Sequence, residues 1–485
     1  MKGVNVLKST DTKQKWTKQR KFKRAVAIIL LIQMLTAAPA VSMAEGSDAN
    51  TSTTNAATTT NTSADTSANT SNTAAAPAAD TAAEVVMPIV PQLAVKSAVL
   101  LEPTTGQILY SFNSEEALPP ASMTKMMTEY IVAEQVKEGK LSWDDMVTVK
   151  ENAAEQIGSR VFLAQGEQYT VKQLYIAMAV GSANDATVAL AELVGGTEQN
   201  FVKMMNDEAK RMGLPTAYFA NSTGLSIADM PEAYRPDSTK ETVMSAMDAA
   251  ILAKYIVDDH PDFSQFTTIP SYKLRDRDTD PIINYNWMLP ANASNTYLKQ
   301  FAYEGLDGMK TGHTSAAGQC FTGTAVRNGV RLISVVMGAS TEATRFTETA
   351  KLLDYGFNNF EIKKTIPAKS TIDSAKTVSV KKGKQTSVPL VTDQDVNFVL
   401  PKDVTGAPSV TVNLTTKELT APVKSGTKVG TATYSYKVQG SNTPIQRTVN
   451  LVTSQEVEKA GWFKLFMRAI GDFFHDLFGS VKNLF

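Results

Sequence analysis

The sequence predicts an α+β domain, then a small all-β domain, then an amphipathic helix at the C-terminus. Three observations lead there. Residues 84–363 carry strand-like runs near both ends with segments of helical period between them. Residues 364–453 alternate apolar and polar side chains at period two, and residues 456–485 gather aromatics on one helical face.

Within the first region, Ser97-Ala-Val-Leu-Leu101 and Gln107-Ile-Leu-Tyr110 read as strands joined at Thr104-Thr-Gly106. Ser122 to Gln135 reads as a helix entered through Pro119-Pro120. Thr170-Val-Lys-Gln173 has the form of a capping box, in which two side chains satisfy each other's backbone N–H groups. Leu174, Tyr175, Met178 and Ala179 then recur at helical spacing, and Ala186 to Val194 reads as a further helix. Gly318 to Val326 and Val330 to Met337 flank Asn328-Gly329, a pair that tolerates positive φ and so signals a hairpin. Glu342 to Tyr355 closes the region with a helix. Strands from both ends sharing one sheet, with helices laid on it, give a layered α+β domain.

In the second region Val378/Val380, Val396/Phe398, Val410/Val412/Leu414 and Tyr434/Tyr436/Val438 alternate with polar residues, which predicts a sandwich-like core. In the third, Trp462, Phe463, Phe466, Ile470, Phe473, Phe474, Leu477 and Phe478 fall on one face, and Lys464, Arg468, Asp472, His475, Asp476 and Lys482 on the other. That pattern suits a helix lying in the plane of a membrane surface. A helix buried against a partner chain is the other reading.

The N-terminus sets the compartment. Nine basic residues precede the apolar run Ala25 to Leu35, and the small residues Ala38-Pro-Ala40 and Ser42-Met-Ala44 follow. Residues 1–44 therefore read as a secretory signal. The run falls short of the roughly 20 residues that span a bilayer; an uncleaved anchor is the alternative. Residues 45–83 are almost wholly Ala, Thr, Ser and Asn, too polar to bury a core, and read as a disordered linker. The expected location is the outer face of the cytoplasmic membrane, on the wall side, with the terminal helix touching the lipid.

Charge excludes one class. The chain has 48 basic and 48 acidic residues; residues 1–44 take nine and one of these, leaving 39 and 47, a net −8. A nucleic-acid partner would call for a basic surface. The single cysteine, Cys320, permits no internal disulfide and reads as a small core residue.

The chemistry lies in three motifs: Ser122-Met-Thr-Lys125, Ser182-Ala-Asn184 and Lys310-Thr-Gly312. Each alone is common. Ser379/Lys382 and Ser425/Lys428 repeat the first, Ser67-Ala-Asn69 the second, and Lys424-Ser-Gly426 nearly the third. Only the first-named set falls in order on a helix start, a helix end and a strand. A serine hydroxyl needs a base to become a nucleophile. Residues three apart share a helix face, so Lys125 can reach Ser122. A lysine serves as base only when neutral, which burial or a second positive charge such as Lys310 would favour. Metal ions and cofactors have no part in this scheme.

On these motifs the chain resembles the D-alanyl-D-alanine carboxypeptidases, the low-molecular-mass penicillin-binding proteins, whose signature is Ser-x-x-Lys with Lys-Thr-Gly. Gly158-Ser-Arg160, Asn284-Tyr-Asn286, Gly305 to Thr314 and Arg331 to Gly338 extend the resemblance. It implies the penicillin-binding/β-lactamase-like serine transpeptidase fold. It makes Ser122 the acylated nucleophile, Lys125 its base and Ser182 a proton relay. Asn184, Lys310, Thr311, Gly312, His313 and Arg345 become substrate-binding, with the Ser122 and His313 amides as oxyanion donors and Arg345 on the terminal carboxylate. The implied partners are peptidoglycan stem peptides and β-lactams. Asn221-Ser-Thr-Gly-Leu225 is a looser form of a stretch usual in the family. A β-lactamase-like hydrolase and a non-catalytic wall-binding protein are the competing functions.

Overall fold

The computed structural model describes residues 83–482, without the side chains of Asp472 and of residues 475–482. The expected signal segment, nearly all of the linker and the His475 side chain lie outside the described residues.

The first domain is built on a five-stranded antiparallel sheet. Its strands are β1 (Ser97–Glu102), β2 (Gln107–Phe112), β3 (Leu306–Thr314), β4 (Gly318–Arg327) and β5 (Val330–Ala339), in the order β2-β1-β5-β4-β3. The ends of the region meet where β1 pairs with β5, Val99 opposite Val335. All six residues of β1 are buried, so the strand reads as a continuous apolar run instead of an alternation.

The longer helices are α1 (Lys125–Lys137), α2 (Val171–Gly181), α3 (Asn184–Gly195), α4 (Glu198–Met212), α5 (Ala246–Asp259) and α6 (Glu342–Asn359). Successive strand residues point to opposite faces. Val99, Leu101, Ile333 and Val335 thus share one core with Met126 of α1 and Ala249 of α5. Ala98, Leu100, Leu332 and Val336 share another with Phe346 and Leu352 of α6. Gly356 lets α6 approach closely, since a Cβ there would lie 2.5 Å from Leu332 Cδ1. The capping box at the start of α2 forms with both bonds, Gln173 N to Thr170 Oγ1 at 3.1 Å and Thr170 N to Gln173 Oε1 at 2.8 Å. The hairpin turns at Asn328 and Gly329, both at positive φ.

The second domain comprises β6 (Phe360–Ile366), β7 (Thr377–Lys381), β8 (Ser387–Thr392), β9 (Val396–Pro401), β10 (Ser409–Leu414), β11 (Glu418–Thr420), β12 (Lys428–Val438) and β13 (Ile445–Thr453). Its main sheet runs β12-β13-β8-β7-β11, with β10 on β12, and β6 pairs with β9 separately. Phe398 of β9 meets Tyr436 of β12 edge to face at 5.1 Å, closing one core across the two layers.

Three segments fall differently from the sequence boundaries. Glu84–Val85, expected to open the first domain, instead pairs in parallel with β12, Glu84 opposite Lys437, and buries Val85 in the second core. A two-residue edge strand is too short to show a period, so only pairing reveals it. Residues 360–363, also assigned to the first domain, belong to β6, which follows α6 with no linker. The terminal helix, α7 (Trp462–Lys482), starts later than residue 456, because Val457 is buried and bridges to Val423.

Trp462, Phe463, Phe466, Phe473 and Phe474 of α7 are exposed. Arg468 turns the other way and donates to the carbonyls of Gly383 and Lys384, both at 2.8 Å. Among the described residues no helix is long and apolar enough to cross a membrane.

Gln107 joins the domains. Its Nε2 donates to Val399 O at 2.6 Å, and its Oε1 accepts from Val399 N and from Arg447 Nη2, each at 3.2 Å. Gln107→Leu would leave the buried Val399 amide and carbonyl unpaired. Stability should fall by about 1–3 kcal/mol, read as a lower denaturant midpoint, while Ser122 acylation in native conditions stays near wild type.

Candidate active site

The turn that carries Ser122 is built before the helix starts. Pro120 has no amide donor to give, Ala121 sits at φ 48°, and Ala121–Thr124 form one turn of 3₁₀ helix ahead of α1. Ser122 therefore lies in this tighter turn and not in the α-helix expected from residue 122. The loop 221–225 packs behind it. Asn221 Oδ1 accepts from Thr223 N at 3.1 Å and Gly224 N at 2.7 Å, folding the loop so that Thr223 O faces Lys125. Gly224, at φ 83°, has no room for a Cβ beside the Ala121 carbonyl. The loop is thus closed by its first residue despite its looser sequence.

Lys125 is wholly buried. Its Nζ lies 3.0 Å from Ser122 Oγ and donates to Thr223 O at 2.8 Å. Burial first and the Lys310 charge second hold its pKa well below the usual lysine value, against the opposing charges of Glu129 and Asp185. A neutral amine can give one N–H to Thr223 O and offer its lone pair to the Ser122 hydroxyl.

Ser182 arrives from the opposite side. It caps α2 in the left-handed conformation, φ 54° and ψ 29°, and α3 begins two residues later at Asn184. Lys310 Nζ donates to Ser182 Oγ at 2.8 Å and to Thr311 O at 3.2 Å. Burial lowers the Lys310 pKa to about 8, with Glu129 opposing and Arg345 adding to the fall. Asn184 Nδ2 donates to Ile157 O at 2.6 Å, which fixes the amide and leaves the buried Oδ1 with no protein partner.

β3 is the last strand of its sheet, so one edge is unpaired beside Ser122. Gly312 lets it come close: a Cβ there would stand 2.5 Å from Pro120 O and 3.2 Å from Met123 N. Thr311 is buried and His313 exposed on this strand. Arg345 lies behind the strand. Its Nη1 donates to Gln319 Oε1 at 2.7 Å and reaches Gly312 O at 3.4 Å, while its buried Nε has no partner. Burial brings its pKa down to about 10, still charged at neutral pH.

Ser122, Lys125, Ser182, Asn184 and Lys310 are thus brought together, with Thr311, Gly312 and His313 along one wall and Arg345 under its end. The repeated motifs at 379–382 and 424–428 fall in or beside strands of the second domain, and Ser67-Ala-Asn69 lies outside the described residues. Cys320 is buried, its thiol pushed up to about 11 by that burial, which makes it a poor nucleophile. Two contributors escaped the sequence reading. Thr223 acts through its carbonyl, which no side-chain pattern reports. Glu129 is buried and perturbs both lysines; the signal was an acid four residues after the motif lysine on a helix with Met126 and Met127 beside it.

A buried lysine beside a half-buried serine, next to an open strand edge, defines a serine acyl-enzyme hydrolase with the penicillin-binding protein fold. The sequence profile of the D-alanyl-D-alanine carboxypeptidases matches residues 83–341, and that of the penicillin-binding protein 5 C-terminal domain matches residues 360–459. The D-alanyl-D-alanine carboxypeptidase DacF of Bacillus subtilis is 35% identical over 378 residues, 78% of this chain and 89% of that one. DacC of Escherichia coli is 32% identical over 396 residues, covering 80% and 91%. The crystal structure of penicillin binding protein 5 from Haemophilus influenzae matches with a TM-score of 0.63 at 33% identity, over 77% of this chain and all of that one. The chain belongs to the D-alanyl-D-alanine carboxypeptidase family, and it is a serine-type D-Ala-D-Ala carboxypeptidase.

Gly312→Ala should fold, because the unpaired edge of β3 can move outward. The displaced strand would pull away from Ser122, and an error of about 1 Å in such a site costs on the order of 10²-fold in rate. Penicillin acylation kinetics would register the loss, and wild-type rates would show that the close approach is not required.

Proposed function

We propose that this enzyme removes the terminal D-alanine from peptidoglycan stem pentapeptides through an acyl-enzyme on Ser122. The observation that carries the residue assignment is the wholly buried Lys125 with its Nζ 3.0 Å from Ser122 Oγ. Neutral Lys125 takes the hydroxyl proton as Ser122 Oγ attacks the carbonyl carbon of the penultimate D-alanine. The backbone N–H groups of Ser122 and His313 receive the developing oxyanion, a type of contact commonly worth about 10²–10³ in rate. The bond to the terminal D-alanine breaks, and its nitrogen takes a proton through Ser182, whose hydroxyl is resupplied by Lys310. Water then adds to the ester carbon, its proton passing through Ser182 to the neutral Lys310, and Ser122 Oγ leaves with the proton held by Lys125, which restores both lysines.

Substrate lies along the free edge of β3, beside Thr311 and Gly312. Asn184 Oδ1 accepts a backbone N–H of the peptide. Arg345 supports the carboxylate end; its Nη1 already holds both Gln319 and Gly312 O, so it braces the strand as well as drawing in the anion. β-Lactams acylate Ser122 by the same attack, but the expelled amine stays attached, which keeps the deacylating water out.

We also propose export and membrane attachment. The basic, apolar and small-residue segments of 1–44 support export. The aromatic face of α7 supports attachment at the outer lipid surface, because it is exposed while Arg468 on another side is engaged by the second domain.

Two tests follow. Labelled penicillin should give one adduct, on the peptide holding Ser122, and Lys125→Arg should slow its formation on the order of 10²–10⁴-fold. Wild-type acylation should fall in acid as Lys125 gains its proton, and fall again above about pH 8 as Lys310 loses its own. An adduct elsewhere, or a fast Lys125→Arg variant, would remove the assignment.

For the tail, residues 456–485 carry four basic and four acidic side chains, so apolar burial should dominate binding. Salt near 1 M, where the screening length is about 3 Å, should leave the exported enzyme on vesicles. Truncation after Gly461 keeps Val457 in its core and should release a soluble, active enzyme. Release by salt alone would count against the aromatic anchor.

A further inference from the structure

Glu129 is a buried carboxyl that takes no part in the bond-making steps at Ser122. It follows Lys125 by four residues on α1, so the two side chains share one helix face. It is only 3% exposed, and its Oε1 is buried with no hydrogen-bond partner. Leaving a carboxylate oxygen bare in the interior is costly, and such groups persist where a neighbouring charge compensates them.

The compensating charges are the two lysines. Lys125 on α1 and Lys310 on β3 both act on Glu129, and it acts on each in return. Burial raises the Glu129 pKa to about 7, with Lys310 and then Lys125 restraining the rise. Asp185, Arg345 and Tyr175 also border the cluster. Asp185 on α3 faces Lys125, but its oxygens are taken by the amides of Val161, Leu163 and Ala186. Arg345 on α6 faces Lys310. Tyr175 on α2 feels Glu129 and gives its hydroxyl proton to the Glu129 carbonyl at 3.3 Å.

We infer that Glu129 is a positioning residue for protons: its carboxylate supports the ammonium form of both buried lysines and so sets the pH range in which Lys310 is charged while Lys125 stands neutral beside Ser122. One negative and one positive charge then leave the buried cluster without net charge. Glu129 touches neither substrate nor Ser122; it acts through the lysines. The inference rests on Lys125 as the base that activates Ser122.

Loss of the negative charge destabilises both ammonium forms, so both lysines give up their protons at lower pH. Since the groups titrate together, the profile reports the cluster and not one residue. The experiment is the second-order rate of Ser122 acylation by labelled penicillin, followed from acid to alkaline pH, for the enzyme and its Glu129→Gln and Glu129→Asp variants. Both limbs should move to lower pH in Glu129→Gln, by about one pH unit, and by less in Glu129→Asp, whose carboxylate is shorter. Limbs that stay in place in Glu129→Gln, whatever happens to the maximum, would reduce Glu129 to a packing role and overturn the inference. So would a movement to higher pH. If Glu129→Gln does not fold, unmoved limbs in Glu129→Asp overturn it equally. A wild-type profile with no acid limb would instead unseat Lys125 as the base, an outcome separable from the other two.

Discussion

Two amines buried within each other's field, Lys125 and Lys310, are the constraint around which the catalytic domain is arranged. Neither would remain charged there unaided, since burial and mutual repulsion both favour the neutral form. The chemistry needs them to differ, one neutral to accept a proton and one charged to supply one. Each contacts one hydroxyl and one carbonyl, Ser122 and Thr223 for Lys125, Ser182 and Thr311 for Lys310. Glu129 is the first opposing charge for both, and they differ in the positive neighbour each faces, Lys310 beside Lys125 and Arg345 beside Lys310.

Holding four groups from separate elements at hydrogen-bonding distance requires unfavourable backbone. Ser182 and Ala121 both take positive φ, a conformation that side chains rarely adopt and that costs about 1–3 kcal/mol at each such residue. At Ala121 it turns Ser122 out of the helical path. At Ser182 it lets α2 end and α3 begin within two residues, presenting the Ser182 hydroxyl and the Asn184 amide together. Rigid neighbours hold these turns: the sheet beneath α1 and the Asn221 loop behind Ser122.

Much of this was legible in the sequence, for a physical reason in each case. The α+β class followed from segment length and period, the Asn328-Gly329 hairpin from the tolerance of those residues for positive φ, and the start of α2 from its capping box. The motif residues were legible because their side chains carry the chemistry. What stayed hidden depends on tertiary packing. The Thr223 carbonyl has no side-chain signature. Gln107 sits in a strand and looks like any polar residue there, yet it spans to Val399 almost three hundred residues away. Glu84–Val85 forms a strand only because β12 offers an open edge.

The same packing bears on how the site would stand above a lipid surface. α6 passes into β6 without a linker, Gln107 reaches across to Val399, and Phe360 and Val399 pack in the same core as Leu100 and Tyr355 of the first domain. At its far end Arg468 ties α7 to the turn at Gly383 and Lys384, and Ala460 N donates to Lys382 O just before the helix. A helix lying in the membrane plane, as proposed, would then transmit its orientation through the β domain to the catalytic cleft. The second domain contributes no group to the chemistry, and on this view it acts as a stiff spacer that holds the β3 edge toward the wall. Its hydrogen-bonded strands suit that task better than a flexible tether, which would let the cleft wander among orientations that face no substrate.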